Sequence, residues 1–160
     1  MQTTIVYYSL SGNCRFAAEG AAALLGAETM ELVSEKAYPE KGFAKFFHGG
    51  KSAVFGEAPA LRPYSFPAET EQVLLVTPIW AGRIAPPLRS FLLRERETLR
   101  GKRVAALFCC SGGGTEKAAA QIRELLDGAA WEAALTLVDP KDKPSEEKRR
   151  ALADFCAKLK

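Results

Sequence analysis

A chain of 160 residues is the length of one ordinary domain, so separate cofactor and substrate lobes are not expected. Its 48% apolar content supports a sizeable core and excludes a disordered chain, and 22 Lys and Arg against 19 Asp and Glu is too small a surplus to mark a nucleic-acid surface. No apolar run reaches the roughly 18–20 residues that cross a bilayer, and the start MQTTIVYYS has neither a charged leader nor a cleavage site. The expectation is a cytoplasmic protein with no membrane and no nucleic-acid partner. Cys14, Cys109, Cys110 and Cys156 form no C-x-x-C pair, and His48 is the single histidine, so zinc is not expected and the cysteines read as reduced thiols.

In chain order, Thr3–Ser9 reads as a strand, and Phe16, Ala17, Gly20, Ala21, Leu24 and Leu25 then share one helical face. Ala27–Val33 is a second strand. Residues 34–71 interrupt the alternation with aromatics, glycines and prolines; a connection of that length carries its own helix, with Gly42–Phe55 as the candidate, or caps a site. Gln72–Thr77 is the third strand, and Pro86 and Pro87 open the helix that carries Leu88, Phe91, Leu92 and Leu99. Arg103–Cys110 is the fourth strand, and Ala118, Ala119, Ile122, Leu125 and Leu126 mark the next helix. Trp131–Val138 is the fifth strand. Ser145 caps a last helix with Glu146 and Glu147 in its first turn and Leu152, Phe155 and Leu159 facing inward.

This is βαβα repetition and therefore an α/β protein with a parallel sheet between two helical layers. TTIVYYS, VLLVT and VAALFCC are almost continuously apolar, as strands covered on both faces are, whereas AETMELV and WEAALTL alternate as edges do. With right-handed crossovers the five-stranded order 2-1-3-4-5 satisfies both facts. Ligands of such sheets bind where the winding reverses, between the first and third strands and beyond their carboxyl ends.

Three loops meet there. Ser9-Leu10-Ser11-Gly12-Asn13-Cys14 places hydroxyls, a glycine and free backbone N–H groups at a positive helix terminus, which suits a phosphate. It also reads as an ordinary capping turn. Thr77-Pro78-Ile79-Trp80-Ala81-Gly82 sets a tryptophan just past a buried strand, where it offers a shelf for a planar ring or packs on the insertion. As a loop residue, its removal would leave the fold intact. Ser111-Gly112-Gly113-Gly114 permits close backbone approach.

On these segments the sequence resembles the flavodoxins. SLSGNC matches that family's phosphate loop, [ST]-x-[ST]-G-[NT]-[TS]; TPIWAGRIAPPLRSFL resembles its second flavin loop and following helix, and FCCSGGG its third. The resemblance runs across nearly the whole chain. It implies a single flavodoxin-like three-layer domain over residues 1–160 that binds FMN and transfers electrons. By that resemblance Ser9, Ser11, Gly12, Asn13 and Cys14 hold the phosphate, and Thr77, Pro78, Ile79, Trp80, Ala81 and Gly82 flank the isoalloxazine. Ser111, Gly112, Gly113 and Gly114 then reach its pyrimidine edge. The chemistry belongs to the flavin, and no catalytic acid or base is required.

The sequence departs from the family twice. Cys14 stands where a Thr or Ser hydroxyl is usual, and a thiol is a weak donor. The net charge is +3, whereas electron-carrying flavodoxins are typically acidic. The partner is accordingly a redox protein, or NAD(P)H or a quinone if the protein is an FMN-dependent reductase, acting as a monomer or homodimer. A remote alternative is a low-molecular-weight phosphatase, because Ser9-x5-Arg15 and Asp139-Pro140 mimic its C-x5-R and Asp-Pro elements. A serine there, with no adjacent base, lacks the stabilised thiolate that chemistry needs. Gly50-Lys51-Ser52 imitates a nucleotide P-loop, but Lys45 occupies the leading glycine position, and no dinucleotide G-x-G-x-x-G occurs.

Overall fold

The structure, a computed structural model, describes residues 1–39 and 51–160. His48 and most of the Gly42–Phe55 candidate helix lie outside the described residues; within that candidate, residues 51–54 are helical. The elements are β1 (Thr3–Tyr7), α1 (Asn13–Leu25), β2 (Glu28–Glu31), β3 (Gln72–Trp80), β4 (Arg83–Ile84), α2 (Pro86–Arg94), β5 (Arg103–Cys110), α3 (Glu116–Leu125), β6 (Ala130–Val138) and α4 (Glu146–Lys158).

The sheet order is β2-β1-β3-β5-β6, all parallel. That is the expected winding, with the switch point between β1 and β3. Strand character decides position as the sequence implied. β5 is buried along seven consecutive residues and β1 along four, while the edge strand β6 alternates exposed residues with half-buried ones and the buried Leu137.

A sixth strand was not expected. β4 is two residues long and pairs antiparallel with the end of β3, Ile79 with Ile84 and Trp80 with Arg83. β3 therefore runs to Trp80 rather than stopping at Thr77, and the tryptophan belongs to a strand and not to a loop. The turn is Ala81-Gly82, both left-handed, at φ 50° and φ 77°, the arrangement of a two-residue hairpin turn. A left-handed alanine costs about 1–2 kcal/mol, which glycine would relieve, offset in part by the freer unfolded chain that glycine brings. Ala81→Gly is expected to stabilise the protein by about 0.5–1 kcal/mol, read as a higher urea midpoint at unchanged slope.

Two apolar layers flank the sheet. On one face Val6, Leu75, Ala106 and Phe108 pack against Leu88, Phe91, Leu92 and Ile122. On the other, Ile5, Leu74, Val76 and Leu107 pack against Ala17, Ala18, Ala21, Phe155 and Cys156. Pro86 and Pro87 open α2, and Ser145 Oγ caps α4 by accepting the Lys148 N–H at 3.2 Å. The described part of the 34–71 insertion is tied to α2: Arg89 Nε donates to the Gly56 carbonyl (2.8 Å), Ser90 Oγ to the Pro59 carbonyl (2.6 Å) and Tyr64 Oη to Glu95 Oε1 (2.9 Å).

Candidate functional site

An open cleft with about 110 Å³ of interior space lies at the switch point, the place where ligands of such sheets bind. Ser9, Leu10, Ser11, Asn13 and Cys14 line it from the β1–α1 loop, and Pro78, Ile79, Trp80 and Ala81 from the end of β3. Cys109, Cys110 and Ser111 line it from the end of β5, and Asp139 from the end of β6.

The β1–α1 loop was open to two readings, a phosphate cradle or a self-sufficient cap. The geometry separates them. α1 has Gly12 as its N-cap, left-handed at φ 93°, and no side chain caps it. Ser9 Oγ accepts the Gly12 N–H at 3.2 Å and so bends the loop one residue upstream of the helix. The first backbone bond at the helix start is Phe16 N–H to the Gly12 carbonyl at 3.0 Å, which leaves the N–H groups of Asn13, Cys14 and Arg15 without intrahelical partners. The helix start is thus not closed by the Ser and Asn side chains of its own loop.

Asn13 does not cap either. Its Nδ2 donates to Asp142 Oδ2 (2.8 Å) and its Oδ1 accepts the Lys141 N–H (2.9 Å), which clamps the loop to the segment after β6. Cys14 turns inward: it is 2% exposed and packs with Cys109 in the core layer around Ile5 and Ala17. Burial pushes the Cys14 thiol well up, and the neighbouring Cys109 thiol adds to the rise. Burial also raises Cys110, against the Gly112 N–H. A helix N-terminus alone would lower a thiol; here desolvation wins. Cys14 is therefore expected to react with a thiol reagent in the native protein only at the rate of chain opening, accelerating with urea. Labelling at a free-thiol rate would contradict its burial.

The second loop contributes a wall. Trp80 meets Tyr8 edge-on, with ring centroids 5.9 Å apart and planes at 85°, and leans on Tyr38 of the insertion at 5.2 Å. Of the two roles considered for it, the packing on the insertion is seen directly: it is only 9% exposed, and it lines the cleft as well. Thr77 is fully buried and does not line the cleft; its hydroxyl accepts the Ala85 N–H at 3.2 Å and donates to the Pro78 carbonyl at 3.0 Å. Gly12 and Gly82, both half-buried in their turns, are not part of the lining, nor are Gly112, Gly113 and Gly114, which stand exposed after Ser111.

Leu10, Cys109, Cys110 and Asp139, which the loop motifs do not single out, also line the cleft. Asp139 is left-handed at φ 42°, its N–H donates to the Cys110 carbonyl at 2.9 Å, and its carboxylate accepts from Lys143 Nζ (2.8 Å) and Ser111 Oγ (3.2 Å). The Lys143 ammonium, helped by Ser111, holds that carboxyl below its ordinary range. Its position directly after β6 was the available signal. These contacts also remove the phosphatase likeness. Asp139 is engaged by Lys143 and Ser111, and Arg15 pairs with Glu31 at 2.5 Å, so neither stands free for the part that likeness gives it. Among the described residues no group of three or more His, Cys, Asp or Glu side chains is placed to hold a metal.

No protein-family model matches the sequence, and no curated protein matches it. Solved structures do. A Lactobacillus acidophilus flavoprotein in complex with FMN superposes with a TM-score of 0.74 at 22% identity, covering 88% of this chain and 95% of that one. A Bacteroides uniformis protein gives 0.77 at 18% identity, covering 98% and 97%. The two-electron reduced flavodoxin of Megasphaera elsdenii gives 0.61 at 19% identity, covering 98% and 99%. With its strand order, its flanking helices and these superpositions over almost the full length, the chain has the flavodoxin-like fold.

Proposed function

We propose that this chain binds FMN non-covalently in the switch-point cleft and works as an electron-transfer protein. One observation carries the reading. The uncapped N-terminus of α1 and the aromatic wall at Trp80 open into the same cleft, so one molecule with a phosphate at one end and a planar apolar ring at the other satisfies both. The likeness to an FMN complex supports it.

In this reading Ser9, Ser11, Gly12, Asn13 and Cys14 hold the phosphate, mainly through the free N–H groups and the Ser9 and Ser11 hydroxyls. Asn13 acts through its backbone because its side chain is engaged elsewhere. Pro78, Ile79, Trp80 and Ala81 flank the ring, with Thr77 and Gly82 shaping that segment. Ser111, Gly112, Gly113 and Gly114 offer backbone donors to its polar edge. Bound FMN supplies the redox chemistry; the protein positions it and excludes water from one face. Free buried thiols suit a reducing cytoplasm, and among the described residues no helix is long and apolar enough to cross a membrane.

A second reading, an FMN-dependent NAD(P)H or quinone oxidoreductase, draws on charge. The chain carries +3, and the Lys117 side chain reaches the Ala81-Gly82 turn, its Cδ 3.9 Å from where a Cβ on Gly82 would stand. That cation would attract an anionic nucleotide. Anaerobic reduction of the FMN-loaded protein separates the readings. Bleaching only through a reductase protein supports the carrier, rapid bleaching by NADPH alone supports the enzyme, and failure to take up FMN overturns both.

A further inference from the structure

We propose that Lys141 is a specificity-determining residue of the cleft, its ammonium laid over the phosphate loop to pair with a phosphate monoester at the start of α1. The inference rests on the FMN reading and adds to it a charge that the loop itself lacks.

The position of the side chain comes first. A Cβ on Gly12 would stand 3.0 Å from Lys141 Nζ, 3.4 Å from its Cδ and 3.6 Å from its Cε. The lysine therefore lies across Gly12, at the residue whose left-handed backbone starts the helix. Its backbone is fixed there as well, because the Lys141 N–H donates to Asn13 Oδ1 and the adjacent Asp142 carboxylate accepts from Asn13 Nδ2. The segment after β6 and the phosphate loop thus form one clamped unit that carries the ammonium with it.

The partners of that ammonium come second. Asp142 is taken up by Asn13, and Asp139 by Lys143. Among the described residues no carboxylate forms an ion pair with Lys141; its Nζ reaches the Ser11 carbonyl at 3.5 Å, at the outer limit of a hydrogen bond. Three N–H groups without intrahelical partners, the positive end of a helix and an ammonium outside any ion pair thus belong to one clamped unit, the β1–α1 loop with the segment after β6. A dianion fits that arrangement, and a neutral hydroxyl does not.

Lys141 is exposed, so its attraction is screened by water and salt. The test is fluorescence titration of wild type, Lys141→Met and Lys141→Arg with FMN and with riboflavin, at low and at high salt. Lys141→Met keeps the backbone N–H that holds Asn13. It is expected to weaken FMN by about three- to tenfold at low salt, to leave riboflavin unchanged, and to flatten the salt dependence of FMN binding. Lys141→Arg is expected to retain most of the affinity. Unchanged FMN binding in Lys141→Met, or equal weakening of both flavins, would overturn the assignment while leaving the FMN reading intact. Wild type that binds no FMN would overturn both.

Discussion

Trp80→Ala is expected to destabilise the protein by about 3–5 kcal/mol, the usual cost of deleting a buried large aromatic, and to weaken FMN as a separate effect. Trp80 is 9% exposed, and its ring is gripped by Tyr8 at 85° and by Tyr38 at a tilt of 56°. It also closes the β3–β4 hairpin opposite Arg83. Its removal opens a void between the strand end and the insertion, and Tyr38 loses the partner that holds it on the sheet. The flavin contribution is smaller, because an aromatic pair adds about 0.5–1.5 kcal/mol beyond area burial, a few-fold to about tenfold in affinity. Trp80→Phe separates the two. Phenylalanine keeps an aromatic face and most of the packing, so most of the stability should return. Urea unfolding of the apo protein reads the first effect and flavin titration the second. An Ala variant with wild-type stability would place Trp80 outside the core.

That expectation differs from the one drawn from sequence, which set Trp80 in a loop, and the reason is physical. β4 is only Arg83–Ile84, too short for any periodicity to register. Its turn is Ala-Gly rather than the Asn-Gly or Asp-Gly that marks such hairpins in a sequence. Without that turn the extension of β3 through Pro78 is unreadable, since proline ordinarily ends a strand. Pro78 keeps its place because it lies where β3 is leaving the parallel ladder, opposite Cys109 at the end of β5.

The larger architecture was legible because it rests on burial, and burial writes itself in composition. Continuous apolar runs identified β1, β3 and β5 as central, and alternation identified β6 as an edge; the winding followed from handedness. The site was legible only as far as it is built from local chain. Ser9, Ser11, Asn13, Cys14, Pro78–Ala81 and Ser111 line the cleft as residues at or just past the ends of β1, β3 and β5, where a sequence reading can look for them. Asp139 and Lys141 were not legible in this way. Both act on the β1–α1 loop or the β5–α3 loop from more than 25 residues away in sequence, through contacts such as Lys141 N–H to Asn13 and Ser111 to Asp139, and no local pattern encodes a pairing at that separation. Cys14 shows a related limit. Its place in the loop motif suggested a group facing the ligand, and only three-dimensional packing shows the thiol turned toward Cys109.

The other large expected effect is the preference for FMN over riboflavin, which share a ring and differ only in phosphate. Every contact at the β3 end is available to both, so Trp80 and Ile79 contribute nothing to the difference. The discrimination comes from the start of α1, where the N–H groups of Asn13, Cys14 and Arg15 lie ahead of the first intrahelical bond and Gly12 leaves the helix uncapped. Hydrogen bonds to a charged group contribute about 1.5–3 kcal/mol each, so two of them give at least about 3 kcal/mol, or more than 100-fold in affinity. Riboflavin would place a neutral hydroxyl at the same point, unable to satisfy several donors at once. The preference should shrink in acid, as the phosphate dianion takes up a proton near pH 6 and only a monoanion faces the donors. Cys14 is not expected to contribute to that titration, because burial keeps its thiol protonated. Titration of both flavins by fluorescence quenching between about pH 5 and 8 measures the ratio and its slope together. Equal affinities for the two flavins would mean that the α1 terminus holds no phosphate, whatever else the cleft binds.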